Sequence, residues 1–137
     1  MSFDFSYRKL NVYNLSKNLV TDVYDIVSSF PNTEKYALGD QLRRAVVSVP
    51  SNIVEGTTRQ SAKEQFHFLE IAFGSLMETM CQIEIASSLG YVSQAKMCEI
   101  EDKVISIYKM LSSMQSVLKN RIQSENKKDY TSVNSKP

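Results

Sequence analysis

This chain predicts an all-α fold: an antiparallel, up-down-up-down, left-handed four-helix bundle. Three observations carry the prediction. Apolar residues recur at spacings of three and four over four separate segments, the period of a buried helix face rather than the alternation of a strand. Only 4 Gly and 3 Pro occur in 137 residues, too few to punctuate a loop-rich or all-β fold. The breaks between segments are short, so consecutive helices are expected side by side and reversed, and the sustained 3-4 spacing favours left-handed packing. A chain of this length can bury one substantial core. The predicted domain spans 1–123, and the polar tail 124–137, which lacks periodicity, is expected to be disordered.

The first helix is expected over about 8–29, with Val12, Leu15, Leu19, Val23, Ile26 and Phe30 on one face, ended by Pro31-Asn32. The second, about 36–58, continues through Pro50, which removes one backbone bond and is expected to kink it. The third, about 62–88, opens on a capping box, Ser61 to Glu64. It carries the heptad Phe66, Leu69, Phe73, Leu76, Met80 and Ile83, and it stops where Gly90 can adopt the left-handed conformation. The fourth, about 94–122, begins after Ser93 and repeats Met97, Ile100, Val104, Ile107, Leu111, Met114 and Leu118.

The second helix is the most informative. Leu38, Leu42, Ala45, Val46, Val49, Ile53 and Gly56 form one apolar stripe. Val47, Pro50 and Val54 extend it to an arc of roughly 200°, wider than one buried face needs. The extra width implies a second helix-packing surface, one that another subunit could cover. Arg43 projects from inside that arc. Arg44, Ser48, Ser51, Asn52, Glu55 and Arg59 read as the polar side. A guanidinium set among apolar residues needs a carboxylate or carbonyl partner, and Glu70 and Glu78 on the flank of the third helix are the expected ones, from the same or a neighbouring chain.

No constellation for catalysis emerges. His67 is the sole histidine, which rules out a His-centred triad or a multi-His metal site within one chain, and it reads as a solvated flank residue. No Glu-x-x-His pair of the di-iron kind occurs. Glu78 and Glu84 point to different sides, and the glycines are scattered singly rather than gathered in a phosphate loop. Cys81 and Cys98 have no metal-ligand spacing and read as reduced packing residues. No catalytic residue, metal, cofactor or small-molecule substrate is therefore expected. No apolar run approaches the ~20 residues of a membrane span, and the N-terminus lacks a secretory pattern. A cytoplasmic protein without membrane contact is expected.

The net charge of +1 argues against a protein dominated by nucleic-acid binding. Even so, Arg43, Arg44, Arg59 and Lys63 cluster along the second helix and its following turn. One reading has Arg44 and Arg59 solvated, with Glu55 available to Arg59 at i,i+4. The other makes Arg44, Arg59 and Lys63 a basic surface that gains strength when an oligomer repeats it. The aromatics Phe3, Phe5, Tyr7, Tyr13, Tyr24 and Tyr36 lack interleaved basic residues and read as core or interface.

The segments YRKLNVYNLSKNLVTDVYDIVSSFP, YALGDQLRRAVVSVPSNIVEGTTRQSAKEQFHFLEIAFGSL and SSLGYV resemble the four-helix-bundle family encoded in intervening sequences of bacterial 23S ribosomal RNA genes. The resemblance covers about residues 5–120, and its most specific part is QLRRAVVSVPSNIVEG, residues 41–56. It implies a small bundle that assembles into a homopentamer. It also implies kinship with the accessory variability determinant of diversity-generating retroelements, a basic pentamer that binds reverse transcriptase and nucleic acid. Most members have no established activity. Tyr13 stands where the family commonly has tryptophan, and Val54 where alanine is typical. The near-neutral charge weakens any transfer of nucleic-acid binding from strongly basic relatives.

Two functions are therefore expected to compete. One is a non-enzymatic oligomeric module binding RNA or an RNA-associated protein through Arg44, Arg59 and Lys63. The other is a purely structural self-assembling bundle. Interface contacts are expected from Arg43, Val47, Pro50, Val54, Glu55, Glu70 and Glu78.

Overall fold

The structure, a computed structural model, describes residues 3–134, with side chains through Asp129. A 3-10 turn, Ser6–Lys9, precedes α1 (Asn11–Ser28). A single helical turn, α2 (Asn32–Lys35), leads into α3 (Leu38–Thr57), followed by α4 (Ala62–Ser88) and α5 (Gln94–Asn134). No strand occurs among the described residues. Four long helices form the body: α3 packs on α1 and α4, and α5 closes the set against α4 and α1.

Each boundary has a local cause. Pro31 fixes an extended residue ahead of α2, whose first turn bonds back to the Pro31 carbonyl. The Ser61 hydroxyl accepts from the Glu64 N–H at 3.1 Å and caps α4. At the other end Gly90 sits at φ +82°, while the Gly90 and Tyr91 amides donate to the Ser87 and Ala86 carbonyls. That pair of bonds is a Schellman motif, which favours glycine at the left-handed position. It also folds Tyr91 onto Phe30, ring centroids 5.5 Å apart. Ser93 caps α5 in the same way as Ser61 caps α4, through the Lys96 N–H. α3 stays helical through Pro50.

The core follows the predicted stripes. Leu19, Val23, Leu42, Val46, Val49, Ile53, Leu76, Ile83, Ile107 and Leu111 are essentially inaccessible. On α4 the buried face also includes Ala72, Thr79 and Ala86, so it is wider than the heptad alone, and Phe66, Phe73 and Met80 lie at its margins. The small residues let α3 approach closely. Across that seam the Ser75 hydroxyl donates to Ser48 Oγ at 2.8 Å, and Asn52 Nδ2 donates to the same oxygen at 2.9 Å. Ser48, on the polar side of the helical wheel, is therefore a half-buried contact to α4, and Asn52 is half-buried beside it, bonded back to Ser48. An interhelical hydroxyl pair satisfies polar groups that a wheel can only place in water.

Two further expectations are corrected. The chain beyond 123 was expected to be disordered, yet α5 continues to Asn134; the part of that expectation on 135–137 lies outside the described residues. Residues 123–129 bury no apolar side chain, but Gln, Glu and Lys are good helix formers that extend an existing helix without renewed nucleation. Cys81 and Cys98 are free thiols on the exposed surface rather than packing residues. No helix among the described residues is long and apolar enough to cross a membrane.

Candidate functional site

The α3 sequence places its charged and outer apolar residues on two sides of the bundle. Arg43 is not aimed at α4. Its guanidinium donates to the Asp40 carboxylate, one turn back, and to the Lys35 carbonyl at 2.8 Å. It thereby ties α2 to the first turn of α3. Glu70 and Glu78, the expected partners, are exposed on α4, and Glu78 lines a groove with Arg44 instead. The i,i+3 carboxylate at Asp40 was readable from spacing alone; a local partner outcompetes a distant one because holding it costs less chain entropy. The Arg43 and Asp40 side chains are 24% and 40% exposed. We therefore expect Arg43→Ala to cost roughly 1 kcal/mol in urea unfolding, not the roughly 3–5 kcal/mol of a buried pair. Arg44→Ala should stay within about 0.5 kcal/mol of wild type. A loss at Arg43 no larger than at Arg44 would refute the bracing role.

The expected basic set divides. Arg59 and Lys63 border one groove of about 700 Å³, with Glu64, Phe66, His67, Phe68, Glu70 and, from α5, Ile122. Arg44 lies on α3 more than three turns away, some ~20 Å along the helix, and lines separate grooves. Arg59 does not pair with Glu55. Its guanidinium lies 4.6 Å from the Phe68 ring centroid, a cation–π contact. Among the described residues neither Arg59 nor Lys63 forms an ion pair. His67 is exposed beside Phe68, its ring centroid 5.7 Å away.

The outer apolar residues form the second surface. Val47, 38% exposed, Pro50 and Val54 line a groove of about 430 Å³ with Tyr7, Tyr13, Lys17, Val20 and Ser51. A neighbouring groove continues it past Val47 to Tyr24, Asp40, Arg43 and Arg44. The aromatics here do have basic neighbours, contrary to the reading from the sequence. Phe3, Phe5, Tyr7 and Tyr13 contact one another in series at 4.9, 5.9 and 5.0 Å, with Arg8 over Phe5 and Lys17 near Tyr13. The extended residue at Leu10 turns the N-terminal segment back, so residues apart in sequence share one side. Glu55 is exposed in the last turn of α3.

A family profile described as 23S rRNA-intervening sequence protein matches residues 8–113. The chain belongs to that family. The matched stretch covers α1 to α4 and the first half of α5; the projecting end of α5 falls outside it. Among solved structures, a protein of unknown function from the S23 ribosomal protein family of Bacteroides thetaiotaomicron VPI-5482 superposes with a TM-score of 0.69. It is 21% identical, and the alignment covers 76% of this chain and 97% of that one. At this identity the likeness speaks to the fold. None of the curated proteins matches the chain.

Proposed function

We propose that this protein is a non-enzymatic, cytoplasmic, self-assembling helical bundle whose assembled form binds RNA through repeated copies of the Arg59–Lys63 groove. The observation that carries this reading is the open apolar groove between α3 and α1, where Val47, Pro50 and Val54 face Tyr7, Tyr13 and Val20 and Val47 is 38% exposed. Apolar surface of this kind gains free energy when another subunit covers it. The bundle underlying it is read as antiparallel, up-down-up-down and left-handed, supported by short connections and by core residues at spacings of three and four. A homopentamer is the assembly the family resemblance favours.

Repetition matters for the RNA step because a single copy has a net charge of only +1. Two cations beside Phe68 and His67 offer phosphate contact next to a stacking surface. Repeated around a ring, these contacts multiply in number, although Glu64 and Glu70 on the same groove offset the two cations in charge. An RNA-associated protein carrying an acidic surface is the other ligand this groove would accept. Fluorescence anisotropy with single-stranded RNA should show affinity falling steeply between low and physiological salt. Arg59→Ala and Lys63→Ala should each weaken binding and lower the salt slope by about one. Salt-insensitive or absent binding by the assembled protein would instead favour a purely structural bundle.

A further inference from the structure

Neither the apolar groove nor the Arg59–Lys63 groove accounts for the polar seam between α3 and α4. There Gln41, Arg44, Ala45 and Ser48 of α3 face Ser75 and Glu78 of α4 across a groove of about 490 Å³. Contacts between the two helices mark its ends. The Ser75 hydroxyl donates to Ser48 Oγ at 2.8 Å, and Gln82 Nε2 donates to Gln41 Oε1 at 3.4 Å. Arg44 falls between Gln41 and Ser48 on one wall, and Glu78 between Ser75 and Gln82 on the other.

These two opposite charges do not pair. Among the described residues Arg44 makes no ion pair or hydrogen bond, and the Glu78 carboxylate accepts only from Gln82 Nε2, at 3.2 Å. Gln82 is only 7% exposed, and its Oε1 has no hydrogen-bond partner among the described residues. The bond to Glu78 holds the amide this way round, because the reverse would set its oxygen against a carboxylate. A carbonyl buried without a donor is costly. One end of the groove therefore gathers acceptors, the Glu78 carboxylate and the Gln41 and Gln82 amide oxygens. The other wall offers the Arg44 guanidinium, all donors and no acceptor.

We infer that this groove binds a small zwitterion of the α-amino acid class, its carboxylate on Arg44 and its ammonium on Glu78 and Gln41, with the Gln82 carbonyl behind them. An ammonium has three protons to place, and a carboxylate matches the guanidinium fork. A simple anion would leave Glu78 unpaired, and a simple cation would leave Arg44 so. A direct Arg44–Glu78 bridge would satisfy both charges but not the Gln82 carbonyl. Neither self-assembly nor RNA binding is required for this site.

Saturation-transfer NMR with the full chain should detect glycine and L-alanine at millimolar concentration. N-acetylglycine and glycinamide, which each lack one of the two charges, should bind about tenfold more weakly, the loss of one charge-assisted contact. Arg44→Gln and Glu78→Gln, both at exposed positions, should each weaken glycine binding to a similar degree with helical circular dichroism retained. Equal binding of the analogues, or binding unchanged in both variants, would overturn the site. Absent binding, with both variants equally destabilised in urea, would mean that Arg44 and Glu78 pair directly and would overturn it as well.

Discussion

Leu76→Ala is expected to lower the unfolding free energy by roughly 3–5 kcal/mol, the cost of lost burial plus the cavity left behind. Leu76 is fully buried midway along α4, where α3 and α5 both flank the helix. Rigid helices on each side cannot collapse into the space, so the upper part of that range is expected. For a chain of this size the melting temperature should fall on the order of 10–20 °C. Ile71→Ala, five residues earlier but exposed, should cost well under that, and a comparable loss at both positions would contradict the assigned core face. The comparison is best made at a concentration low enough to dissociate any assembly.

The second large effect is at Gly39, in the first turn of α3. A Cβ added there would lie 2.8 Å from Val27 Cγ1 and 3.2 Å from the Glu34 carbonyl oxygen. Val27 is buried and β-branched, with little rotamer freedom, and the carbonyl belongs to the backbone of α2. Gly39→Ala must therefore push α3 away from α1 or shift the α2 corner, at about 1–3 kcal/mol. Val27→Ala removes part of the obstruction while opening a cavity. In chemical denaturation the double variant should lose less than the sum of the single losses. Strict additivity would mean that the two residues do not press on one another.

The long helices were legible because each buries a broad face whose period survives in the sequence. Val12, Leu19, Val23 and Ile26 on α1, and Ile100, Val104, Ile107 and Leu111 on α5, keep that period. The punctuation was legible too: Ser61, Ser93 and Gly90 act through local bonds that depend only on nearby residues. What periodicity could not supply was the identity of the neighbour on each side. Ser48 looks solvent-facing on a wheel until α4 brings Ser75 alongside, and Asn52 bonds the same hydroxyl from its own helix. The ion pair between Lys103 of α5 and Asp22 of α1 joins residues that only the packed bundle brings together. The wide apolar arc of α3 packs on both α1 and α4, and the wheel could not show that Tyr7, Tyr13 and Val20 form the other wall of its outer groove.

The candidate site was legible in parts for the same reason. Arg59 and Lys63 are four residues apart and fall together around the start of α4, so sequence proximity sufficed. Arg44 was grouped with them by sequence clustering, but the length of α3 carries it to a different groove. Phe68 as the platform beneath Arg59 carried no distinct signal, because an aromatic at helical spacing reads as core.

Self-assembly through the uncovered groove is the claim on which the functional reading depends. Its most direct test is the solution mass of the full 137-residue chain at micromolar concentration by multi-angle light scattering. A mass several times that of the 15.6 kDa chain, falling on dilution, is the expected result. A monodisperse peak at the single-chain mass across that range would contradict the account.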